Sequence, residues 1–166
     1  MGGNIVDVAT VAYEDLSPGR VIDLGRTVVD RDEMLAFARR FDPQPFHLDE
    51  DTPADSVLGG LCASGWFTAS LWMRAYVDHL LADSTSLGSP GGKELSWLAP
   101  VRAGDELRFQ LEVLSARRSR SRPEMGLVEM TGTAYRMTED GGEQCVLRFT
   151  YTGLFGVAGK DSEESS

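Results

Sequence analysis

The chain has 166 residues, enough for one domain with a substantial buried core. Its formal net charge of −10, from 16 basic and 26 acidic residues, argues against a general nucleic-acid binder, which needs basic groups to neutralise phosphates. The two cysteines, Cys62 and Cys145, are too few and too widely separated for a disulfide framework or a zinc site.

Both ends of the chain are predicted to lie outside the folded domain. Residues 1–7 show no basic stretch followed by an apolar core, so no export signal is indicated and a cytoplasmic location is expected. Residues 1–12 are expected to form a disordered or irregular leader. Residues 159–166 are polar and acidic, and a disordered tail is expected there. A single domain is therefore predicted over residues 13–158.

The domain begins with a strand followed by a helix. Residues 20–29 alternate apolar and polar side chains, as a strand does. Asp30 has the character of an N-cap, with Glu33 three residues further on, and apolar side chains at helical spacing follow. Pro43 ends this helix, so Asp42 is expected at its C-terminal edge.

A histidine follows the C-terminal end of this helix. The chain has two histidines, and His47 lies five residues after Asp42 in the segment Asp-Pro-Gln-Pro-Phe-His. Pro43 and Pro45 disfavour helix in the residues before them, so the segment is predicted to be a stiff, extended crossing. Such a segment can hold a carboxylate and an imidazole so that both face one small volume. General acid/base chemistry on a water molecule requires this arrangement. The alternative is an aspartate that ends a helix and a histidine in a surface loop.

The next segment contains an acidic cluster and a long uncharged stretch, and both are interpreted as structural features. Four acidic residues are predicted to form a solvated turn and not a metal site, because no second histidine is near to complete a transition-metal ligand set; they are Asp49, Glu50, Asp51 and Asp55. The uncharged stretch over residues 56–73 approaches the length of a membrane span. Its glycines and serines instead favour a buried helix entered through a glycine-rich turn, so no membrane contact is expected.

This helix is predicted over residues 65–81, with apolar side chains around most of its circumference. The first amides of a helix lack partners within it, and the dipole there favours negative charge. The N–H of Gly65 would therefore polarise a carbonyl oxygen aimed at it. The alternative, with Ser64 as N-cap and Gly65 as a packing glycine, is compatible with that role. Ser70 is expected to reach the same volume or, equally, to be a small residue that allows close contact with a sheet.

From residue 94 onward the pattern is β. Alternating runs rich in Val, Leu, Phe, Tyr and Thr, separated by turn signals, predict strands over residues 94–98, 106–114, 126–137 and 144–155. The Gly-, Ser- and Pro-rich residues 84–92 are predicted to be a loop. One long buried helix and a long antiparallel sheet indicate the α+β class, with the sheet wrapped around the helix.

Two groups of basic side chains remain. His79 lies near the end of the buried helix, where a cation interacts favourably with the dipole, and is not assigned to the site. Four arginines form a cluster that would either bind the phosphates of a large anionic ligand or, as the favoured interpretation, form a solvated hairpin tip; they are Arg117, Arg118, Arg120 and Arg122.

Three segments together resemble the MaoC-like hydratase/dehydratase family, relatives of the (R)-specific enoyl-CoA hydratases. Residues 37–49 read Phe-Ala-Arg-Arg-Phe-Asp-Pro-Gln-Pro-Phe-His-Leu-Asp, and residues 59–65 read Gly-Gly-Leu-Cys-Ala-Ser-Gly. Residues 98–105, Leu-Ala-Pro-Val-Arg-Ala-Gly-Asp, are similar to the family's turn between strands. The resemblance covers roughly residues 18–155 in the right order.

The resemblance implies a hot-dog fold, in which an antiparallel sheet wraps around one long helix. It implies a homodimer or higher homo-oligomer whose sheets join, with CoA or acyl-carrier thioesters bound along the subunit boundary. Asp42 and His47 would activate the catalytic water, and the Gly65 N–H would polarise the thioester carbonyl. The implied reaction is the reversible hydration of a trans-2-enoyl thioester to a 3-hydroxyacyl thioester, a lyase reaction of fatty acid metabolism without a metal or redox cofactor. The residues expected to contact substrate are Ser64, Trp66 and Ser70.

The sequence departs from the family pattern at two positions. Gln44 stands where relatives often have asparagine, and Ser64 stands where they often have histidine; both changes reshape the pocket without removing an acid/base group. Two other functions are compatible with the same segments. One is an acyl-CoA thioesterase on the same fold, and the other is a non-catalytic hot-dog subunit of a heteromer.

Overall fold

The computed structural model describes residues 10–159. The predicted leader and tail therefore fall almost entirely outside the described residues. Within the predicted leader, Val11 forms an isolated β-bridge with Ser84, and Ala12 is buried. These contacts attach the first described residues to the domain.

A five-stranded antiparallel sheet, in the order β1-β3-β4-β5-β2, packs one face against a single long helix, α3. The α+β class and the predicted packing of sheet on helix are confirmed. The strands are β1 (Val21–Val28), β2 (Ser86–Trp97), β3 (Glu106–Arg118), β4 (Met125–Met137) and β5 (Glu143–Gly156), and the helices are α1 (Arg31–Phe41), α2 (Pro45–Leu48) and α3 (Gly65–His79).

Helix α1 begins and ends at the residues that the sequence indicates. The Asp30 side chain accepts a hydrogen bond from the Glu33 N–H at 2.9 Å, which satisfies one of the free amides of the first turn. At the other end, Asp42 is the C-cap, and its N–H still donates to the Ala38 carbonyl at 2.9 Å. Because Pro43 follows, the helix stops there and leaves the Asp42 side chain at its edge.

The segment after Pro43 is not extended throughout, so that prediction is wrong in part. Gln44 is extended, as a residue before proline should be, with φ −94° and ψ 146°. Pro45 then opens the single helical turn α2, which contains His47. Proline suits the first position of a helix, because its φ is already helical and its missing N–H would have had no partner there.

Residues 84–92 were predicted to be a loop, and most of them instead belong to strand β2. The strand pairs with β5 from Ser86 to Trp97, with register shifts among its glycines. Pro90 is tolerated because β2 is an edge strand, where a missing N–H breaks no ladder on the open side. Pairing with the long strand β5 therefore overrides the local turn propensity.

The core lies between the sheet and one face of α3. Trp72 and Tyr76 of the helix pack with buried side chains such as Phe109 and Met130 of the sheet. The opposite face of α3 is more open than its apolar sequence predicts: Trp66 and Met73 are exposed. The helix is therefore buried on one face in the single chain, and not on several sides.

Within residues 10–159, none of the helices combines the length and apolar character needed to cross a bilayer.

Candidate active site

The fold brings the predicted carboxylate and imidazole together. Asp42 Oδ2 and His47 Nε2 are 3.3 Å apart, and the two side chains are 19% and 8% exposed. Helix α1 supplies Asp42 at its end, and the turn of α2 returns the chain so that the His47 ring faces the carboxylate. The pair is therefore largely withdrawn from solvent, as proton transfer between defined groups requires.

The Asp42 carboxylate is held by two further donors. Ser64 Oγ donates to Asp42 Oδ2 at 2.8 Å, and Gln44 Nε2 donates to Oδ1 at 2.6 Å. Burial acts to raise the pKa of Asp42, but the hydrogen bonds from Gln44 and Ser64, together with the charge of His47, outweigh it and hold the pKa below its usual value. The carboxylate is thus ionised at neutral pH and able to accept a proton.

The far side of the His47 ring is fixed by a backbone group. His47 Nδ1 lies 2.8 Å from the carbonyl oxygen of Cys62. Because a carbonyl can only accept, Nδ1 carries the proton of this hydrogen bond, and Nε2 is turned towards Asp42. Burial raises the pKa of the Cys62 thiol, so this group, 3.8 Å from Nδ1, remains protonated and is not a second base.

The start of α3 borders the same pair. Ser64 is the N-cap: its Oγ accepts from the Trp66 N–H at 3.2 Å while donating to Asp42. Within the described residues, the Gly65 N–H has no acceptor. It is one of the free amides of the first turn, at the positive end of the helix dipole, and it is available to a negatively charged ligand atom.

A cavity of about 480 Å³ joins these groups. Asp42, His47, Gly65 and Trp66 line it, and the buried Ser64 lies behind it through its bond to Asp42. The remaining walls are mostly apolar, which suits an organic acyl group more than a charged one; they include Val57, Leu58, Ala63, Trp97, Leu98, Ala99, Pro100, Val101 and Val146.

Ser70 does not reach this cavity, so that expectation is wrong. Its Oγ donates to the Trp66 carbonyl at 2.7 Å, and the residue is exposed beside Phe37 and Met73. At 3.6 residues per turn, five residues rotate the helix by about 140° from Gly65, which carries the side chain to another face. Spacing along the helix does not by itself place a side chain on the same face, since the angle around the axis also matters.

Three groups at the site were not assigned from the sequence. The Cys62 carbonyl is a backbone group, which side-chain chemistry cannot reveal. Trp97, at the end of β2, lies against Gly65, where a Cβ atom would overlap its indole ring. Gln44 was noted only as a departure from the family pattern, yet it donates directly to Asp42.

The remaining candidates lie elsewhere. The arginine cluster is at the β3–β4 hairpin, where Arg118 pairs with Glu14 at 3.2 Å. Along β4, from Gly126 at this hairpin to Arg136 beside the cavity wall, the chain extends for roughly 33 Å. The cluster is therefore remote from the cavity of its own chain. Among residues 10–159, no three His, Cys, Asp or Glu side chains are placed to hold a metal ion.

Comparison with known proteins gives a consistent result. A family model described as a MaoC-like domain matches residues 15–133. A MaoC-like dehydratase from Rhodospirillum rubrum is 37% identical, with 90% of this chain and 99% of that chain covered and a TM-score of 0.78.

More distant structures share the fold. An R-hydratase from Pseudomonas aeruginosa is 20% identical, with 95% of this chain and 96% of that one covered and a TM-score of 0.64. A Mycobacterium tuberculosis protein with a double hot-dog fold is 19% identical, with a TM-score of 0.75; the match covers 97% of this chain and 48% of the longer one. The arrangement of sheet and helix described above is therefore the hot-dog fold.

Proposed function

The chain belongs to the MaoC-like domain family, and from that premise we propose that it catalyses the reversible hydration of a trans-2-enoyl thioester, of the enoyl-CoA type, to a 3-hydroxyacyl thioester. Family membership, together with the MaoC-like dehydratase and R-hydratase among similar structures, supports hydration or dehydration chemistry in general. The thioester substrate and the roles of the residues are our proposal.

One observation carries this proposal: a carboxylate–imidazole pair faces the same cavity as a free helix amide. Asp42 and His47 meet at 3.3 Å, and Gly65, whose N–H has no acceptor within the described residues, lines the same cavity. A water molecule held by the pair would add to C3 of the enoyl group while the thioester oxygen takes up negative charge. The helix N-terminus stabilises that charge, because its amide is already oriented and needs no reorganisation.

The proposed proton transfers balance if both ring nitrogens of His47 carry a proton in the reacting form. The water oxygen then forms a bond to C3, Asp42 accepts the proton released from the water, and the Nε2–H of His47 supplies a proton to C2. Asp42 is then neutral and Nε2 is bare, so transfer of one proton across their 3.3 Å contact restores the starting state. His47 Nδ1–H stays bound to the Cys62 carbonyl throughout, which keeps the ring in place.

A direct assay separates this function from the two alternatives. With crotonyl-CoA and longer enoyl-CoA thioesters, we expect loss of the enoyl absorbance without release of free thiol. Thiol release from acyl-CoA would indicate a thioesterase instead. Turnover only after a second hot-dog chain is added would indicate a subunit that is inactive by itself.

We also propose that two copies of the chain join at strand β2 to complete the cavity. As an edge strand, β2 has backbone groups free to pair with another strand. Its apolar side chains Leu87, Leu95 and Trp97 are exposed, and Leu95 lines one cavity with the exposed Met73 of α3. Exposed apolar side chains at an open strand edge favour association with a second copy, which is the arrangement that the family resemblance implies.

Leu95→Glu is expected to abolish this association. The substitution places a charge among these exposed apolar side chains, where pairing would bury it. Size-exclusion chromatography with light scattering should show twice the chain mass of 18.1 kDa for the unmodified protein and the single mass for the variant. Leu114→Glu on β3 is the matched control, because Leu114 is 41% exposed and Leu95 is 39% exposed. Equal masses for the two variants would contradict a β2 interface.

Gly65→Ala is expected to lower kcat/KM for the enoyl thioester by roughly 10- to 100-fold. The added methyl group would overlap the Trp97 indole, so the start of α3 must shift and its amide moves away from the thioester oxygen. The double variant Gly65→Ala/Trp97→Leu tests this cause, since the smaller leucine removes the overlap. If the double variant recovers none of the lost hydration activity, the steric explanation is wrong.

A further inference from the structure

The loop between α2 and α3 presents two groups to the catalytic pair. The Cys62 carbonyl binds His47 Nδ1, and the Ser64 hydroxyl binds Asp42. Neither group belongs to α1 or α2, so the loop must be held in place for the two bonds to form. One restraint comes from α2 itself, where the Phe46 carbonyl accepts from the Cys62 N–H at 3.1 Å, and a second comes from outside the segments that carry the site.

Arg102 supplies the second restraint. Its Nη1 donates to the Leu61 carbonyl at 2.7 Å, and its Nη2 donates to the Leu58 carbonyl at 2.6 Å. Gly59 and Gly60, between the two acceptors, have φ values of +71° and +104°, which only glycine adopts freely. A Cβ atom on Gly59 would lie 2.9 Å from Nη2. The two glycines therefore let the loop fold closely around the guanidinium.

Arg102 lies in a turn that is itself held by hydrogen bonds. Its backbone N–H donates to Asp105 Oδ2 at 2.8 Å, and the preceding Val101 carbonyl accepts from the Ala63 N–H at 2.7 Å. Within residues 10–159, its guanidinium forms no ion pair with a carboxylate. Both donating nitrogens are therefore committed to the loop, and their fixed planar geometry sets the positions of the two carbonyls together.

We propose that Arg102 is a positioning residue for the reaction: by holding Leu58 and Leu61, it places the Cys62 carbonyl that binds the Nδ1–H of His47 and so orients the ring. Cys62 directly follows Leu61, so a shift of the Leu61 carbonyl moves the acceptor of the His47 Nδ1–H bond. Without that acceptor the ring is free to rotate, and its Nε2 turns away from Asp42. The catalytic part of this inference rests on the proposed function, whereas the orientation of the His47 ring does not.

The test uses Arg102→Gln and Arg102→Lys in the full-length protein. Glutamine lacks the charge and the forked donors, and lysine keeps the charge but has one nitrogen for two separated carbonyls. Arg108→Gln is the control, because Arg108 binds Glu143 through Nε and Nη2 on the outer face of the sheet, between the buried Leu107 and Phe109. It removes a comparable arginine without touching the loop.

Nuclear magnetic resonance of the imidazole nitrogens gives a readout independent of turnover. The chain has two histidines, so the spectrum contains one ring of interest, His47, and one internal reference, His79. We expect a protonated, slowly exchanging Nδ1 for His47 in the unmodified protein and in Arg108→Gln. In both Arg102 variants this proton should exchange at least tenfold faster, while the His79 signals are unchanged.

The kinetic expectation is a 10- to 100-fold loss of kcat for the enoyl thioester in both Arg102 variants, with KM changed by less than about threefold. An unchanged His47 signal in a folded Arg102 variant would overturn the inference; if the glutamine variant does not fold, the lysine variant decides. If the unmodified protein hydrates no enoyl thioester but the His47 signal still depends on Arg102, the proposed function fails while the positioning role stands.

Discussion

Asp42→Asn is expected to reduce kcat/KM for hydration of crotonyl-CoA by about 10²- to 10⁴-fold. Asparagine has the same shape and can still bind Ser64, but its amide cannot accept the proton of the attacking water. The effect should fall mainly on kcat, because substrate contacts with the apolar walls are unchanged. His47→Ala removes the group that returns the proton to C2 and carries the same expectation.

The control for this substitution is Asp51→Asn. Asp51 is an exposed carboxylate in the same part of the chain, and it does not line the cavity. Its variant should keep the full rate of hydration, followed as loss of the enoyl absorbance. Asp42→Asn and His47→Ala proteins that both retain activity within tenfold of the unmodified protein would refute the assigned roles.

Trp72→Ala is expected to lower the free energy of unfolding by about 3–5 kcal/mol. Trp72 is 1% exposed and lies at the centre of the helix–sheet interface. Its ring centroid is 4.6 Å from that of Phe149 and 4.9 Å from that of Tyr76, and its indole N–H donates to the Gln110 carbonyl at 3.2 Å. The substitution leaves a cavity among these rings and removes the donor of a largely buried carbonyl.

Urea denaturation of the unmodified and variant proteins measures this effect. For a domain of this size, the expected loss corresponds to a Tm lower by roughly 6–20 °C. Phe41→Ala is the control, because Phe41 is also aromatic but 61% exposed, and its substitution should cost less than about 1 kcal/mol. Equal destabilisation by the two substitutions would show that α3 is not the centre of the core.

The sequence predicted correctly those helix ends that depend on neighbouring residues. The Asp30 cap, the stop at Pro43 and the start of α3 at Ser64–Gly65 each depend on residues within one helical turn, and all three were placed correctly. The long strands β3, β4 and β5 also agree with their alternating patterns. The pairing of Asp42 with His47 followed from the same short segment.

Some differences between prediction and structure arise where distant residues decide, and others have local causes. Strand β2 has a loop-like composition and is extended because β5 pairs with it. The helical turn at Pro45 depends on proline occupying a helix start, a position that its local preferences also allow. Ser70 lies away from the cavity because of its angle around the helix, which spacing along the chain does not give. The restraint by Arg102 joins residues about forty positions apart.

The Ser64 hydroxyl has a consequence for efforts to stabilise the protein. Its oxygen accepts a hydrogen bond from the first turn of α3 and donates one to Asp42. The same atom therefore stabilises the helix and holds the proposed catalytic base. Aspartate is as good an N-cap as serine, yet Ser64→Asp would place a second negative charge beside Asp42 and favour its protonation. Helix stability and the basicity of Asp42 are therefore coupled at this position, and neither can be improved there without affecting the other.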